Sequence, residues 1–352
     1  MRQLATVQKI AEVVPIEGAD AIEKVRVNDW WCVAKKNEFK EGDLCVYFEI
    51  DSLLPIDPPT FEFLARGNKP KTMTVDGKEY TGYRLKTIRL RGQLSQGLAL
   101  PHAQFKSTFD SRPLPITVGT DVSELLNVVK YEAPMPAELA GKVRGNFPSF
   151  IPKTDEERVQ NIGQTIMDQQ GVLVYIAEKL DGTSATYYKK DGVFGVCSRN
   201  LDLLETEGNT HWKIARRLDL EKKLPEGIAI QGEIFGSSIG TNPFKATDQN
   251  FACFNVYSIT EGRYLDFAEW MNFCLDNGIP PVPVLESSIA LEMTAEQLIE
   301  KYDGLKSLLA DVLTEGVVIR PMKEARVPMR NGEEGRFSFK VISNQYLLKG
   351  GE

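Results

Sequence analysis

From residue 173 the chain reads Leu173-Val174-Tyr175-Ile176-Ala177-Glu178-Lys179-Leu180-Asp181-Gly182-Thr183. An apolar run that passes directly into a lysine, a carboxylate and a turn glycine predicts a strand whose last residue faces a cleft. Alone, a Lys-x-Asp-Gly match is weak, because average residue usage produces one by chance in roughly one such chain in ten. A charged β-turn on the surface would explain it equally well.

Five further segments follow this lysine in order and change that balance. They are Ser198-Arg199-Asn200, Gln231-Gly232-Glu233-Ile234-Phe235-Gly236, Phe251-Ala252-Cys253-Phe254-Asn255-Val256-Tyr257, Glu315-Gly316-Val317-Val318-Ile319-Arg320 and Phe339-Lys340-Val341-Ile342-Ser343. With the lysine segment they resemble the collinear motifs of the covalent nucleotidyltransferase superfamily. This superfamily comprises ATP-dependent DNA ligases, RNA ligases and GTP-dependent mRNA capping enzymes. The likeness extends from about Lys153 to the end of the chain.

Within the superfamily the sequence is most similar to RNA ligases that carry an OB-fold domain ahead of the nucleotidyltransferase domain. The segments 153–161 and 338–344 support this likeness. Only 12 residues follow Lys340 (352 − 340), too few for the C-terminal OB domain typical of DNA ligases and capping enzymes. We therefore expect no such domain.

The resemblance implies a role for each motif residue. Lys179 matches the lysine that becomes nucleotidylated, and Lys340 is expected to contact the α-phosphate. Arg158 and Arg199 are implied to bind phosphate or ribose. Phe254 is implied to stack on adenine, and Glu178 to lie beside the base. Glu233 is implied to contact the bound nucleotide and its metal. Hydrated Mg²⁺ or Mn²⁺ is expected at the carboxylates of Asp181, Glu233 and Glu315, because hard cations prefer oxygen ligands.

Several of these residues have an ordinary structural explanation as well. An isolated phenylalanine in an apolar strand is usually a core residue, and Phe251 is an alternative to Phe254 as the stacking ring. Arg158 and Arg199 would ordinarily be surface ion-pair residues. The motif context makes them candidate ligands.

The chain is expected to be an α+β protein of two domains. Short strands and turns in residues 1–130 predict an all-β OB-fold barrel that contacts RNA, with single strands expected at 5–10, 22–27, 30–34, 44–50, 83–90 and 97–100. Residues 131–152 read as a linker. Residues 153–352 are predicted to form a nucleotidyltransferase (ATP-grasp-like ligase) domain on antiparallel sheets, with strands near 173–177, 228–230, 252–257 and 317–319 and helices near 267–277 and 295–311.

Composition excludes several classes of site. With five scattered cysteines, no CxxC pair and only two histidines, a zinc cluster or a Ser-His-Asp triad has little to be built from. The net charge is −7, yet the stretch from Lys69 to Arg91 holds seven basic and two acidic residues and is net +5. Phosphate contacts are therefore expected there. Of the adjacent Trp30 and Trp31, at least one should be buried, because neighbouring strand residues point to opposite faces.

These expectations combine into one function. The chain is predicted to be an ATP-dependent RNA ligase that joins 3′-OH and 5′-phosphate RNA ends, in nicked duplexes, through lysyl-AMP and RNA-adenylate during RNA repair. The alternatives are a DNA ligase, a GTP-dependent capping guanylyltransferase, and a non-catalytic OB-fold RNA-binding protein. No apolar run reaches the roughly 20 residues of a membrane span, and the start lacks a signal peptide, so a monomer in the cytoplasm is expected.

Overall fold

The computed structural model describes residues 3–66, 68–75, 77–110, 115–132, 142–329 and 332–349. The chain divides into two compact units, Met1–Met135 and Pro136–Glu352. Each unit has hydrophobic clusters of its own. No helix among the described residues is both long enough and apolar enough to cross a membrane.

The first unit is built almost wholly of short antiparallel strands. They are β1 (Ala5–Lys9), β2 (Glu12–Pro15), β3 (Ile22–Val27), β4 (Trp30–Lys35), β5 (Leu44–Phe48), β6 (Ser52–Pro55), β7 (Lys71–Val75), β8 (Lys78–Arg84), β9 (Ile88–Leu90), β10 (Gln93–Ser95), β11 (Leu98–Pro101) and β12 (Val129–Lys130). They pair in the orders β1-β5-β11, β2-β3-β4, β9-β10 and β12-β6-β8-β7. The all-β character expected for the first domain is confirmed.

The single strand expected at 83–90 is wrong. β8 ends at Arg84 and β9 begins at Ile88. Leu85, between them, turns inward: its N–H donates to Ser52 at 2.8 Å and its side chain is 7% exposed. All of β9 is exposed, so the expected alternation of basic and apolar faces stops before it.

The two adjacent tryptophans lie on opposite faces of β4, as expected. Trp30 is 1% exposed and belongs to the core. Trp31 is half-buried, with the Lys24 ammonium 4.5 Å from its ring centroid. Only Trp31 is available to a ligand.

The second unit holds two large sheets. The strands are β13 (Val143–Asn146), β14 (Glu157–Arg158), β15 (Leu173–Lys179), β16 (Thr183–Lys190), β17 (Val193–Cys197), β18 (Leu201–Leu203), β19 (Ile228–Gly236), β20 (Gln249–Ser258), β21 (Arg263–Tyr264), β22 (Val284–Ala290), β23 (Gly316–Pro321), β24 (Arg326–Pro328), β25 (Glu334–Arg336) and β26 (Phe339–Ile342). One sheet has the order β13-β18-β17-β16-β19-β20-β21 and the other β14-β26-β23-β15-β22. The four strands expected here are all present and longer than expected.

The helices in the described part of the chain are short. They are α1 (Lys106–Phe109) in the first unit, then α2 (Gly163–Asp168), α3 (Thr210–Arg217), α4 (Leu220–Lys223), α5 (Phe267–Asp276), α6 (Ala295–Tyr302) and α7 (Asn344–Leu348) in the second. The helix expected at 267–277 is confirmed, and the one expected at 295–311 is too long. α6 ends at Tyr302 because Asp303 is extended and Gly304 has a φ of +70°.

The linker expected at 131–152 is also too long. Residues 133–141 lie outside the described ranges, but Val143–Asn146 forms β13 and pairs with β18 at the edge of the seven-stranded sheet. The sequence signal was weak because this strand, Val-Arg-Gly-Asn, has no apolar alternation. Residues from 143 onward therefore belong to the second unit.

The connection between the two sheets positions the site. β15 lies inside the five-stranded sheet between β23 and β22, and β16 lies inside the seven-stranded sheet. Only residues 180–182 separate them. The Lys-Leu-Asp-Gly segment is therefore the point where the chain crosses from one sheet to the other.

Candidate active site

Lys179 is the last residue of β15, where an amine at a strand end was expected. Its Nζ donates to Glu315 Oε2 at 2.6 Å. The pairing of β15 with β23 explains the contact, because Lys179 is opposite Gly316 and Glu315 directly precedes it. The nucleophile candidate and one predicted metal ligand are thus brought together by strand register.

Three carboxylates set the charge of Lys179. Burial disfavours its ammonium, but Glu315, Glu233 and Asp181 outweigh burial, so the pKa of Lys179 lies above its ordinary value. The amine is therefore protonated at neutral pH, which is the opposite of what nucleophilic attack needs.

Glu233 reaches the same place from the other sheet. It lies on β19 opposite Ser184 of β16. Burial, together with Glu315 and Asp181, raises the pKa of Glu233 to about 8 against the lowering effect of Lys179. Glu233 therefore resists ionisation first because it is buried and then because two further carboxylates lie near it.

A glycine permits the start of β16 to lie close to β19 here. A Cβ on Gly182 would lie 2.2 Å from the Ile234 carbonyl oxygen and 3.1 Å from Glu233 Cγ. Such contacts are closer than a side chain tolerates, so only glycine fits. The glycine of the lysine segment is thus required by packing.

Asp181 is held by a residue that the sequence reasoning did not single out. The hydroxyl of Tyr346, on α7, donates to Asp181 Oδ2 at 2.6 Å. α7 begins directly after Ser343, the last residue of the final motif, and Ser343 caps it by accepting from the Tyr346 N–H. The only sequence signal for Tyr346 was therefore its position three residues after the end of the final motif.

Glu178 is a buried carboxylate, 3% exposed. Its Oε2 accepts the N–H of Leu308 at 3.0 Å, while its Oε1 is buried without a hydrogen-bond partner. A buried carboxylate oxygen in this position costs free energy unless a donor arrives. The amino group of a nucleobase would be such a donor, and the place of Glu178 beside the base stays a prediction.

Arg158 and Lys340 are neighbours across a parallel strand pair. β14 pairs with β26, and the register places Arg158 opposite Lys340. Lys340 Nζ lies 3.8 Å from Asp155 Oδ1, and Arg199 Nη2 lies 3.7 Å from the same oxygen. Three predicted phosphate ligands therefore gather around one short segment, 155–158.

Phe254 is distinguished from Phe251 by backbone geometry. The pairing of β19 with β20 shifts register between Gln231 and Gly232, which leaves Phe254 as the extra residue of a bulge. Bulges re-aim a side chain. Phe254 is half-buried, whereas Phe251 is 3% exposed and packs edge-on against Tyr187. Phe251 is a core residue, and Phe254 is the more accessible of the two rings.

The carboxylates around Lys179 can be compared with the ligands that a divalent cation needs. Within the described ranges no three His, Cys, Asp or Glu side chains converge closely enough to hold an ion directly. Glu315 and Asp181 are instead engaged by Lys179 and Tyr346. Mg²⁺ is commonly held through its own waters, so carboxylates around a surplus of negative charge fit a hydrated cation. The metal assignment of Asp181, Glu233 and Glu315 remains a prediction.

A buried charge network behind the site was missed by the sequence reasoning. Arg320, at the end of the apolar stretch Val317–Ile319, is 1% exposed and donates to Glu156 Oε1 at 2.8 Å. Arg336 stacks on Tyr264 at 3.6 Å and donates to Glu324 Oε2 at 2.8 Å. The sequence signal for this network was Arg320, a charged residue directly after the apolar stretch Val317–Ile319.

All five cysteines are free and buried. The His211 side chain, 3.1 Å from the Ser184 carbonyl oxygen, is held by the backbone. Neither residue type contributes to the site.

Comparison with known proteins agrees with this architecture. An OB-fold domain family matches residues 4–102, and an RNA ligase family matches residues 172–342. An apo variant of Naegleria gruberi RNA ligase superposes with a TM-score of 0.83 at 40% identity, covering 99% of this chain and 98% of that chain. None of the curated proteins matches the chain.

Two further structures of the same Naegleria gruberi enzyme contain ligands. A lysine-to-alanine variant with ATP and Mn has a TM-score of 0.82 at 41% identity, covering 98% of both chains. A lysine-to-methionine variant with AMP and Mn has a TM-score of 0.83 at 41% identity, covering 99% of both chains.

The fold is that of a nucleotidyltransferase, with an OB-fold domain preceding two sheets joined at a lysine. The likeness to the Naegleria enzyme extends over almost the whole chain. The chain belongs to the RNA ligase family.

Proposed function

We propose that this chain is an ATP-dependent RNA ligase in which Lys179 carries AMP and passes it to a 5′-phosphate RNA end. The observation that carries the proposal is Lys179 at the junction of the two sheets, 2.6 Å from Glu315 and facing Glu233 and Asp181. The family, and the ATP and AMP complexes of its Naegleria member, support the choice of nucleotide.

The first step requires a neutral Lys179 amine. A free lysine has a pKa near 10.4, so bringing it to pH 7 takes about 4 to 5 kcal/mol of differential stabilisation. The three carboxylates act in the opposite direction as long as their charge is uncompensated. A divalent cation beside Asp181, Glu233 and Glu315 would supply that compensation and neutralise charge on the phosphates.

The remaining residues orient the nucleotide. Phe254 offers a face to adenine, and Glu178 offers its unpartnered oxygen to the base. Arg158, Arg199 and Lys340 are proposed to neutralise phosphate charge, a role supported by their common place around segment 155–158. Nζ of Lys179 then attacks the α-phosphorus, an Nζ–P bond forms, and the bond to pyrophosphate breaks. Positioning and charge neutralisation dominate this kind of chemistry.

The later steps use the same site. An oxygen of the RNA 5′-phosphate displaces Lys179 from AMP and gives an RNA-adenylate. The 3′-hydroxyl then attacks the 5′-phosphate, and AMP leaves. The basic segment of the OB-fold domain is proposed to contact the RNA backbone. We further propose that the substrates are nicked duplexes, that the enzyme serves RNA repair and that it acts as a monomer.

The test of the proposal is covalent labelling by ATP. Parent protein with labelled ATP and Mn²⁺ should gain one AMP, and peptide mass spectrometry should locate it on Lys179. Lys179→Ala should gain none while keeping its unfolding midpoint. GTP in place of ATP is the control for a capping enzyme. An adenylate found on another residue, or none in the parent, would overturn the assignment.

A second experiment tests the substrate. Nicked duplexes that differ only in having RNA or DNA on the 3′-hydroxyl side should be sealed at different rates, with RNA preferred. Equal sealing of the DNA nick would favour a DNA ligase. Single strands with free ends serve as the control for the preference for a nick.

A further inference from the structure

The guanidinium of Arg320 lies at the junction of the nucleotide-binding segments. Nε donates to Ser338 Oγ at 2.9 Å, Nη1 donates to the Phe254 carbonyl at 2.8 Å, and Nη2 donates to Glu156 Oε1 at 2.8 Å. Nη1 also lies 3.4 Å from the Tyr175 hydroxyl. With 1% of the residue exposed, the planar fork connects elements that are far apart in sequence.

Each acceptor lies next to a proposed nucleotide contact. Phe254 is the ring proposed to stack on adenine, and the Arg320 guanidinium lies 5.8 Å from its centroid. Ser338 precedes Lys340 by two residues, and Glu156 precedes Arg158 by two. One side chain therefore connects β20, in the seven-stranded sheet, to the residues directly before β14 and β26, in the other sheet.

A second arginine supports this arrangement from behind. Arg336 Nη2 donates to Asn255 Oδ1 at 3.0 Å, and Arg336 Nη1 lies 3.9 Å from Glu156 Oε1. Burial alone would raise the pKa of Glu156, but Arg320 and Arg336 lower it to about 2. Glu156 is thus ionised at neutral pH and holds Arg320 in place.

Stability alone does not account for a buried charge at this position. Replacing a buried ion pair by apolar side chains is often neutral or stabilising, because desolvation offsets the attraction between the charges. A guanidinium does, however, fix the directions of several acceptors at once. Its specific effect is on geometry.

We propose that Arg320 is a positioning residue for lysine adenylylation: it fixes the adenine-stacking Phe254 relative to the segment that carries Arg158, so that base and α-phosphate are held together in the reactive geometry. This inference rests on the proposed function. Arg320 itself touches no substrate, and it acts through Phe254 and Glu156.

The first test is Arg320→Lys. An ammonium keeps the charge but cannot reach the acceptors on Phe254, Glu156 and Ser338 at the angles of the fork. At saturating ATP the rate of AMP transfer to Lys179 should fall about 10- to 100-fold, since small misplacements cost this much. Arg216→Lys is the matched control, because Arg216 pairs with Glu205 on the surface of α3. An undiminished rate in Arg320→Lys would overturn the proposal.

The second test is a double-mutant cycle between Arg320→Lys and Phe254→Leu. If Arg320 acts through Phe254, the combined loss of rate should be clearly smaller than the product of the two single losses. A merely structural role would give multiplicative losses, and that result would refute the inference. If Arg320→Lys does not fold, Ser338→Ala is a milder variant, because it removes a single acceptor of Arg320. We expect a several-fold loss of the rate of AMP transfer in Ser338→Ala. An unchanged rate would count against the proposal.

The parent protein separates this inference from the proposed function. If the parent is labelled by ATP and Lys179→Ala is not, the proposed function holds and the variants test Arg320 alone. If the parent takes no label, the proposed function itself has failed.

Discussion

Glu233 shows most clearly how the folded chain changes the chemistry of a single residue. On an isolated strand a glutamate would ionise near pH 4.3. Here burial, Glu315 and Asp181 raise its pKa to about 8, even though Lys179 lowers it. The effect requires two strands from two sheets, so motif order alone could name Glu233 but could not predict its charge.

The raised pKa of Glu233 gives a prediction for metal-free protein. Between pH 4.3 and about 8 the folded protein holds a proton that the unfolded chain releases, so stability falls as pH rises through this window. Glu233→Gln cannot ionise. Its free energy of unfolding relative to the parent should therefore increase from pH 5 to pH 8.5, by at least about 1.4 kcal/mol, the equivalent of one pKa unit.

Urea unfolding in EDTA at both pH values measures this difference. Glu300→Gln, at an exposed position of α6, is the control and should show no such change. Mn²⁺ should reduce the difference by stabilising the ionised Glu233. Identical pH profiles for parent and Glu233→Gln would show that the carboxyl group titrates normally.

At the scale of elements, the close approach of β16 and β19 depends on one glycine. Gly182→Ala would place a methyl group 2.2 Å from the Ile234 carbonyl oxygen, which must move together with Glu233 beside it. Overpacking of this kind costs about 1 to 3 kcal/mol. We expect a lower urea midpoint and a loss of AMP labelling that persists at temperatures where the variant is fully folded.

Gly145→Ala provides the matched control for this substitution. Gly145 lies on β13 of the same sheet, and a Cβ there would meet nothing within 4 Å. A change at such a position is neutral or stabilises by up to about 1 kcal/mol through the unfolded chain. Equal effects of the two substitutions would show that the contact with Ile234 is unimportant.

The elements also show the limits of sequence patterns. Strands β15 and β23 were expected because continuous apolar runs mark buried strands. β13 and β14 were not, because edge and two-residue strands carry no periodic signal. The strand expected at 83–90 and the helix expected at 295–311 joined segments that Leu85 and Gly304 interrupt through their tertiary contacts and backbone conformation.

At the scale of the whole molecule, charge is segregated. The chain is net −7, yet residues 81–109 contain no Asp or Glu and five basic residues. Arg84 among them is paired with Asp51, whereas Lys86, Arg89 and Arg91 are exposed. The hairpin of β9 and β10 carries Arg89 and Arg91, and it is therefore a candidate for neutralising phosphates.

The salt dependence of RNA binding tests this distribution of charge. Each phosphate contact contributes about 0.9 to the slope of log affinity against log salt on a duplex. Arg89→Gln with Arg91→Gln should therefore weaken binding of a nicked RNA duplex and reduce that slope by up to about 1.8. Lys35→Gln with Lys36→Gln, exposed in the same unit, is the control. An unchanged slope would exclude the hairpin as the RNA contact.

The order of the motifs along the chain was enough to predict the two-domain α+β architecture, the nucleophile and the set of candidate ligands. Covalent chemistry on a lysine needs particular residue types at the ends of strands. The residue types and the apolar strands before them both leave a local signal in the sequence. Strand register and side-chain burial decided the rest: the pairing of Lys179 with Glu315, the bulge that turns Phe254 outward, the hold of Tyr346 on Asp181, and the Arg320 network. The contacts of Lys179 with Glu315, of Tyr346 with Asp181 and of Arg320 with Phe254 join segments more than 60 residues apart, the last across 66 positions. The bulge depends on the register of β20 against β19. No local pattern records such a meeting.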